Sequence, residues 1–141
     1  MEFSLLLPWV VFLFVGAFDW GFFAHALIST ENAARVGALY AANLSGGTPV
    51  TTTACGLVLN ELSISANVAG QSTCTSGAVT SAHPVGISLT CTTLDSVNAV
   101  QVAVTYQTLQ LIPIPGLLSG QATLYRTAKL PMKNNSSCTV S

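Results

Sequence analysis

The residues best suited to chemistry are four cysteines, Cys55, Cys74, Cys91 and Cys138. All four follow a long apolar N-terminal segment, and an even number of cysteines on one side of such a segment is typical of disulfides formed in an oxidising compartment. Zinc binding is the alternative, but structural zinc sites use closely spaced ligand pairs, and no CxxC pair occurs here. The sequence therefore predicts disulfides, and all three connectivities that four cysteines allow stay open.

The remaining candidate groups are too few and too scattered to predict catalysis. Of the two histidines, His25 falls within the apolar segment and His83 directly precedes Pro84, and a lone histidine in such a setting usually has a packing or turn role. Glu61 and Asp95 are the only carboxylates between Arg35 and Arg126, and no GxSxG, P-loop, GxGxxG or HExxH motif occurs. We predict a protein that is not an enzyme, with no cofactor and no metal.

The composition excludes one class of partner. Half of the residues are hydrophobic, 6% are charged, and the formal net charge is −1. Nucleic-acid binding depends largely on lysine and arginine neutralising phosphates, and this chain has no basic cluster. The low charge is far from that of a typical soluble domain, in which about a quarter of residues are charged. We expect no nucleic-acid partner and a surface that neighbouring molecules or glycans cover.

The N-terminal segment is predicted to be a long apolar helix. No charged residue occurs between Phe3 and Phe18, and extending the segment to Leu27 adds only Asp19 and His25. About 25 helical residues span roughly 37 Å, which is enough to cross a hydrocarbon core of about 30 Å. A cleaved signal peptide is an alternative because Ala24-His25-Ala26 fits a signal peptidase site. The length of the apolar run and the absence of Lys or Arg at its start argue against cleavage.

Helical character continues beyond the apolar run. The stretch ISTENAARVGALYAAN is rich in helix formers, and it ends at Asn43, shortly before the stop signal Gly46-Gly47. We predict three parts: an apolar transmembrane or filament-core helix at 1–28, a continuation at 29–44 packed on a sheet, and a disulfide-stapled extracellular β domain at 48–141.

Four stretches are predicted to be strands because apolar and polar residues alternate in them. They lie at 57–68, 85–91, 99–107 and 121–130. The expected fold class is α+β, with a four-stranded antiparallel sheet packed against the second half of the long helix.

Two acidic residues stand out in the apolar helix. Glu2 precedes Phe3 at the start of the helix, where the helix dipole stabilises a carboxylate. In a staggered bundle Glu2 could also pair with the terminal amine of a neighbouring chain and so set the register, because a slip would leave both charges buried and unpaired. Asp19 is placed near the outer edge of the span, where an interfacial position lowers its cost.

Three stretches resemble the TadE-like group, the pseudopilins of tight-adherence (Tad/Flp) pilus systems, which are type IV pilin-like: LLLPWVVFLFVGAFDWG, ISTENAARVGALYAAN and AVQVAVTYQTLQLIPIPGLLSGQATLYRTAKLPM. The similarity covers most of residues 2–44 and 97–132. It implies that Glu2 guides docking of an incoming subunit and that Asp19 and Gly21 match an acidic-aromatic-Gly stretch. Phe22 stands where the group often has Arg, so the resemblance gives Asp19 no local partner. Prepilins carry a basic leader, whereas only Met1 precedes Glu2, and both a longer precursor and different processing would account for this.

The resemblance implies a structural subunit that is held in the inner membrane, meets the pilus assembly machinery and polymerises through its N-terminal helix into an extracellular helical filament. The alternatives are a minor pseudopilin or assembly factor of the same machine, and a membrane-anchored surface adhesin. The assembly residues would be Glu2, Phe3 and Asp19. Sequons at Asn43, Asn134 and Asn135 are candidates for glycosylation. The apolar loop at 110–120 is either ordinary packing on the sheet edge or a contact with a neighbouring subunit.

Overall fold

The computed structural model describes residues 3–44, 48–109, 121–133 and 138–140, and within these ranges the chain has an α+β fold. A long helix comes first, followed by a short helix and a sheet. The elements are α1 (Phe3–Asn43), α2 (Thr51–Glu61), β1 (Val85–Leu94), β2 (Val97–Gln107) and β3 (Thr123–Pro131).

Helix α1 is continuous over 41 residues and ends at Asn43, as the sequence predicts. At 1.5 Å per residue it is roughly 60 Å long, about twice the diameter of a small domain. Pro8 lies inside the helix but does not end it. Only the second half of α1 contacts the rest of the described chain extensively, where it packs on α2, β2 and β3.

The three strands form one antiparallel sheet in the order β1-β2-β3. Val85 pairs with Tyr106 at one end of the first hairpin, and Leu94 pairs with Val97 at the other. The loop of this hairpin therefore has two residues, Asp95 and Ser96, and both have positive φ, at 49° and 67°. This is the backbone pattern of the type I′ turn, whose twist matches that of the flanking strands.

The core lies between α1 and one face of the sheet. The face of α1 that turns inward carries mostly small residues, and the central strand supplies larger ones, Val100, Val102, Val104 and Tyr106, which are buried. A side chain at Gly37 would be crowded, because its Cβ would lie 3.2 Å from Cγ1 of Val102. Small residues thus let the helix axis approach the sheet closely. The buried residues on this face of α1 are Ala26, Thr30, Ala33, Ala34, Gly37, Ala38 and Ala41.

The strand predicted at 57–68 is wrong, because the chain there forms α2 and a series of turns. The buried residues of this segment recur at helical rather than alternating positions: Ala54, Val58 and Leu62 are four residues apart. The sheet is accordingly three-stranded and not four-stranded. A single parallel bridge between Thr75 and Gly86 lies beside β1.

Two disulfides staple this part of the chain. Cys55 pairs with Cys74, which ties α2 to the segment beside β1, and Cys91 pairs with Cys138, which ties β1 to the C-terminal residues. The second bridge brings the C-terminal residues to the segment that precedes α2, where Oγ1 of Thr139 lies 3.4 Å from Oγ1 of Thr48. The sequence leaves the pairing open, and the topology accounts for the first bridge: Thr75, next to Cys74, pairs with Gly86 of β1, and α2 contacts the same strand.

Candidate assembly surface

Two parts of the described chain differ sharply in burial. We call residues 3–25 of α1 the stem, and the remaining described residues the head. Large apolar side chains of the stem are exposed: Phe14 is 65% exposed and Trp20 74%. The others in this class are Leu6, Leu7, Trp9, Val10, Val11, Phe12, Leu13, Phe18 and Phe22.

The stem is apolar on all sides, which is unusual for a helix in contact with water. An amphipathic helix has one apolar face, whereas a helix that is hydrophobic all round is buried in protein or in a membrane. By length and composition α1 qualifies as a candidate membrane span over Leu6–Asn43, and its most apolar window is not buried against the head. Within residues 3–44, 48–109, 121–133 and 138–140 nothing covers the stem, so lipid or other protein is the expected cover.

Asp19 is the one carboxylate in the described part of the stem. It lies on the side of α1 that, two turns later, packs against the sheet, since Phe23, Ala26 and Thr30 follow it at helical spacing and are increasingly buried. Its Oδ2 atom is shielded from solvent and has no hydrogen-bond partner within residues 3–44, 48–109, 121–133 and 138–140. A shielded carboxylate oxygen without a donor is costly, so this position favours contact with a donor from another molecule.

A groove opens where the stem joins the head, and we call it the junction groove. Its volume is about 670 Å³, and its lining is largely apolar. One wall is the stem and the other is formed by the turn after α2 and the end of β2. The lining residues are Phe14, Ala17, Phe18, Gly21, Phe22, Phe23, His25, Ala26, Ile64, Ser65, Ala66, Tyr106, Thr108 and Leu109.

The head wall of the junction groove is held by hydrogen bonds. The Tyr106 hydroxyl donates to Oδ1 of Asn67 at 2.7 Å, and the Asn67 amide donates to the Gln107 carbonyl at 2.8 Å. These two bonds fix the turn that carries Ile64 to the end of β2. Ile64 is nevertheless 80% exposed, so a large apolar side chain stands at the rim without being covered by its own chain.

His25 is the histidine among the groove-lining residues. Its Nδ1 atom lies 3.5 Å from Oγ of Ser29, one helical turn further on. When the serine hydroxyl donates to Nδ1, the neutral imidazole carries its proton on Nε2, which then acts as a hydrogen-bond donor. The groove thus combines a largely apolar lining with a few polar groups, of which the His25 imidazole is on the stem side.

The structure locates some of the sequence-predicted residues and not others. Phe3 is the first residue of α1, whereas Glu2, Asn134, Asn135 and the loop at 110–120 lie outside the described residues. Asn43 is exposed at the end of α1, where its side-chain amide donates to the Leu39 carbonyl at 2.9 Å. Asp19 keeps its predicted place in the apolar half of α1.

The other histidine lies away from the stem. His83 is in an exposed turn, where its backbone exchanges hydrogen bonds with Thr80. In the part of the chain that the structure describes, no group of three or more His, Cys, Asp or Glu residues is placed to hold a metal ion.

Sequence reasoning missed the junction groove entirely. Its head wall comes from Ile64 and Leu109, which are far apart in the sequence, and Ile64 was assigned to a strand. The nearest signal was an isolated isoleucine between serines, Ser63-Ile64-Ser65, after the apolar positions of α2 have ended. Only the packing of the turn against the end of β2 brings the two sides together.

An apolar N-terminal helix that packs its second half on a small antiparallel sheet defines an α+β architecture with a stem and a head, as expected for a pilin-like fold. The match to a family model narrows this class. Residues 1–39 match the model of the family described as TadE-like protein, which supports the resemblance to TadE-like proteins of Tad/Flp pilus systems that the sequence predicts. No curated protein and no solved structure matches the chain.

The family match supports a general role. The matched family is associated with Tad pili and with the machinery that assembles them, and it is structural rather than enzymatic. Together with the apolar stem, it is consistent with a protein that is anchored in a membrane and exposed at the cell surface.

Proposed function

We propose that this chain is a structural pilus subunit that polymerises through its stem into an extracellular helical filament. The observation that carries the proposal is the continuous apolar surface of the stem, from Leu6 to Phe22, which the head leaves uncovered. In the inner membrane, lipid covers this surface. After extraction, the stems of neighbouring copies cover it, and the heads form the outer layer.

Two glycines support close packing between stems. A Cβ atom at Gly16 or Gly21 would meet no heavy atom within 4 Å, so neither glycine is required for packing inside the monomer. Glycine in a helix interior costs about 1 kcal/mol relative to alanine. Small residues on an exposed helix are instead typical of surfaces where the backbone of a second helix approaches closely. The two positions therefore favour a stem that packs against other stems.

The acidic residues are proposed to set the register between copies. Glu2 and Phe3 would meet the start of a neighbouring stem, where a terminal amine is the natural partner of the Glu2 carboxylate. Asp19 would meet a donor of a neighbouring chain, which its solvent-shielded Oδ2 atom requires. The partition into a core helix at 1–28, a packed continuation at 29–44 and an extracellular domain at 48–141 belongs to the same proposal.

The head is suited to the outer layer of such a filament. Its core is small, and two disulfides hold α2 and the C-terminal residues to the sheet. Small domains gain stability from such cross-links, because burial alone leaves them marginal. Sugars on Asn43, Asn134 or Asn135 would add polar cover to a chain with few charges.

A second function has a specific observation in its favour. The family match equally suits a minor pseudopilin or assembly factor, which would have the same stem and head but few copies per pilus. An anchored adhesin is the third candidate, and its stem would stay in lipid. The number of copies in a pilus and the location of the chain distinguish the main subunit, the minor subunit and the adhesin.

The test is to shear cells, collect the released filaments and measure the molar share of this chain by quantitative mass spectrometry and electron microscopy. A main subunit forms most of the protein mass. A share of a few per cent would contradict the proposal in favour of the minor subunit. Retention of the chain in the membrane pellet would contradict it in favour of the adhesin.

A matched pair of variants sharpens the test. Gly16→Leu places a large side chain on the stem where the monomer has open space, and we expect it to abolish filaments while the head still folds. Gly56→Leu is the control, because Gly56 is exposed on α2 in the head and also has no heavy atom within 4 Å of its Cβ position. Normal filaments from Gly16→Leu would mean that the stems do not pack closely at this glycine.

A further inference from the structure

The head of this molecule has an exposed apolar feature at each of two opposite ends. At one end is the junction groove. At the other is the tip of the β1–β2 hairpin, residues 93–97, all of which are exposed. Within this tip Leu94 is 40% exposed and Val97 36%, and they flank the two-residue turn. The described part of the chain leaves the groove open and the two side chains of the tip partly exposed.

The two features cannot meet within one molecule. Tyr106, which lines the groove, pairs with Val85 at the start of β1, whereas Leu94 ends this ten-residue strand. At about 3.3 Å per residue, β1 separates the groove from the hairpin tip by roughly 30 Å. A rigid, fully paired hairpin does not fold back over that distance, so only a second copy could bring a tip to a groove.

From this arrangement we propose that the hairpin tip of one copy docks into the junction groove of the next copy along the filament. This inference rests on the proposed polymerisation and names the head-to-head contact within it. The contact is heterologous, because it joins two different surfaces, and repetition of such a contact produces an open chain of subunits rather than a closed dimer.

The size and shape of the junction groove are compatible with the hairpin tip. The groove holds about 670 Å³, several times the ~150 Å³ of an engineered apolar cavity that accepts benzene. It has room for the Leu94 and Val97 side chains against Ile64 and the stem aromatics. A two-residue turn makes the tip narrow enough to enter a groove between a helix and a turn.

Polar groups of the two surfaces are also complementary. Asp95 is the charged residue of the tip, and His25 supplies an imidazole to the groove lining. The docked tip would place the Asp95 carboxylate so that it accepts a hydrogen bond from Nε2–H of His25. A hydrogen bond to a charged group is stronger than a neutral one, and it would orient a contact that is otherwise apolar.

The turn itself is unusual for its sequence. Type I′ turns prefer Asn-Gly or Gly-Gly, yet Asp95 and Ser96 both adopt positive φ here. Asparagine is tolerated in this conformation at least as well as aspartate. Asp95→Asn therefore removes the charge without adding backbone strain, which makes it a clean variant for the contact.

The first experiment is cysteine cross-linking on intact filaments from cells that carry Leu94→Cys together with Ile64→Cys. The four native cysteines are already paired, so the new thiols are the only free ones. We expect oxidation to give a ladder of multimers on a non-reducing gel. The control pairs Thr90→Cys with Ile64→Cys, because Thr90 is an exposed position in the middle of β1. Filaments that give no ladder, or an equal ladder in the control, would overturn the inference.

The second experiment tests the polar pair by exchange. His25→Asp is expected to lower the ladder yield about tenfold, since it brings two carboxylates together, and Asp95→Asn to lower it less. The exchange His25→Asp with Asp95→His should restore the yield to within about twofold, because histidine also tolerates positive φ. No effect of His25→Asp, or no recovery in the exchange, would overturn the role of this pair.

The two proposals fail in distinguishable ways. If the unmodified chain forms no filaments, polymerisation itself is wrong. If filaments form normally and the Leu94–Ile64 ladder is absent, polymerisation stands and the hairpin-to-groove contact is wrong. Equal thermal unfolding of the variant heads, followed by tyrosine circular dichroism, confirms that a lost ladder reflects a lost contact and not an unfolded head.

Discussion

The two halves of helix α1 both carry many apolar side chains, but they differ in what covers those side chains. In the head, the inward face of the helix carries alanine and glycine, which let it lie close to the valines of β2. In the stem, most side chains are large and either aliphatic or aromatic, and the described part of the head leaves them exposed. The described residues of the head cover the inward face of one half. The other half is left for lipid or further copies to cover.

The difference shows which apolar residues indicate packing inside the molecule and which indicate contact with lipid or with another molecule. Small apolar residues on one face, matched to a sheet, mark internal packing. Large apolar residues around a whole helix mark an external environment, because no small head can cover a helix that is roughly 60 Å long. Asp19 stands near the boundary between the two regimes, where it faces the side of the sheet but lies below it.

The chain carries its own probes for this comparison. Both tryptophans, Trp9 and Trp20, are in the stem, whereas Tyr40, Tyr106 and Tyr125 are in the head. Tryptophan fluorescence therefore reports the surroundings of the stem, and tyrosine circular dichroism reports the packing of the head. In mild detergent the full chain therefore gives separate signals for the stem and for the head.

The largest expected effect concerns the disulfides of the head. Replacing Cys91 and Cys138 by serine removes a cross-link over 47 residues, and the chain-entropy model gives a loss of about 4 kcal/mol in the free energy of unfolding. The same change at Cys55 and Cys74, over 19 residues, should cost about 3 kcal/mol. Denaturant unfolding followed by the tyrosines measures both. Because neither bridge involves the stem, we expect tryptophan fluorescence to stay unchanged. A simultaneous change in that fluorescence would contradict the view that the stem is independent of the head.

A smaller effect separates the glycines of the two halves. Gly37→Leu overpacks the contact with Val102 and should destabilise the head by about 3 kcal/mol. Gly16→Leu should leave head stability unchanged and stabilise the helix by about 1 kcal/mol, because it replaces a poor helix former at an uncrowded position. Thermal unfolding of the two variants decides this. Equal destabilisation by both would mean that the stem is packed in the monomer after all.

The smallest effect is at the hairpin tip. Ser96 has a φ of 67°, a conformation that glycine adopts without a Cβ clash. We expect Ser96→Gly to raise head stability by up to about 1 kcal/mol and to leave stem fluorescence unchanged. The measurement is again the tyrosine unfolding midpoint, with Ser96→Ala as the control that keeps a Cβ. A lower midpoint for Ser96→Gly would show that the serine hydroxyl matters more than the backbone strain.

Much of this fold follows from residue patterns that are local. The end of α1 at Asn43 was predictable because helix formers give way to Gly46-Gly47, and β2 was predictable because Val100, Val102, Val104 and Tyr106 alternate with smaller or polar residues. The resemblance to TadE-like proteins was likewise predictable, and the family-model match over residues 1–39 supports it for the N-terminal part of the chain.

The strand predicted at 57–68 was wrong because a short apolar run was interpreted as alternating, with a period of two, instead of helical. The prediction at 57–68 began at Leu57 and left out Ala54 and Cys55, the residues that show the helical spacing of α2. The disulfide pairing and the junction groove depend on contacts between distant segments, such as Ile64 with the end of β2. No local pattern encodes those contacts, so the sequence alone does not determine them.

The central claim is that the stem is never satisfied within one molecule, and sedimentation of the full chain tests it most directly. Protein released from cells by shear, without detergent, should sediment entirely as large polymers that contain this chain. No species should appear at the monomer mass of 14.6 kDa. A stable, water-soluble 14.6 kDa monomer of the full chain would contradict the account, because it would mean that the molecule covers its own stem.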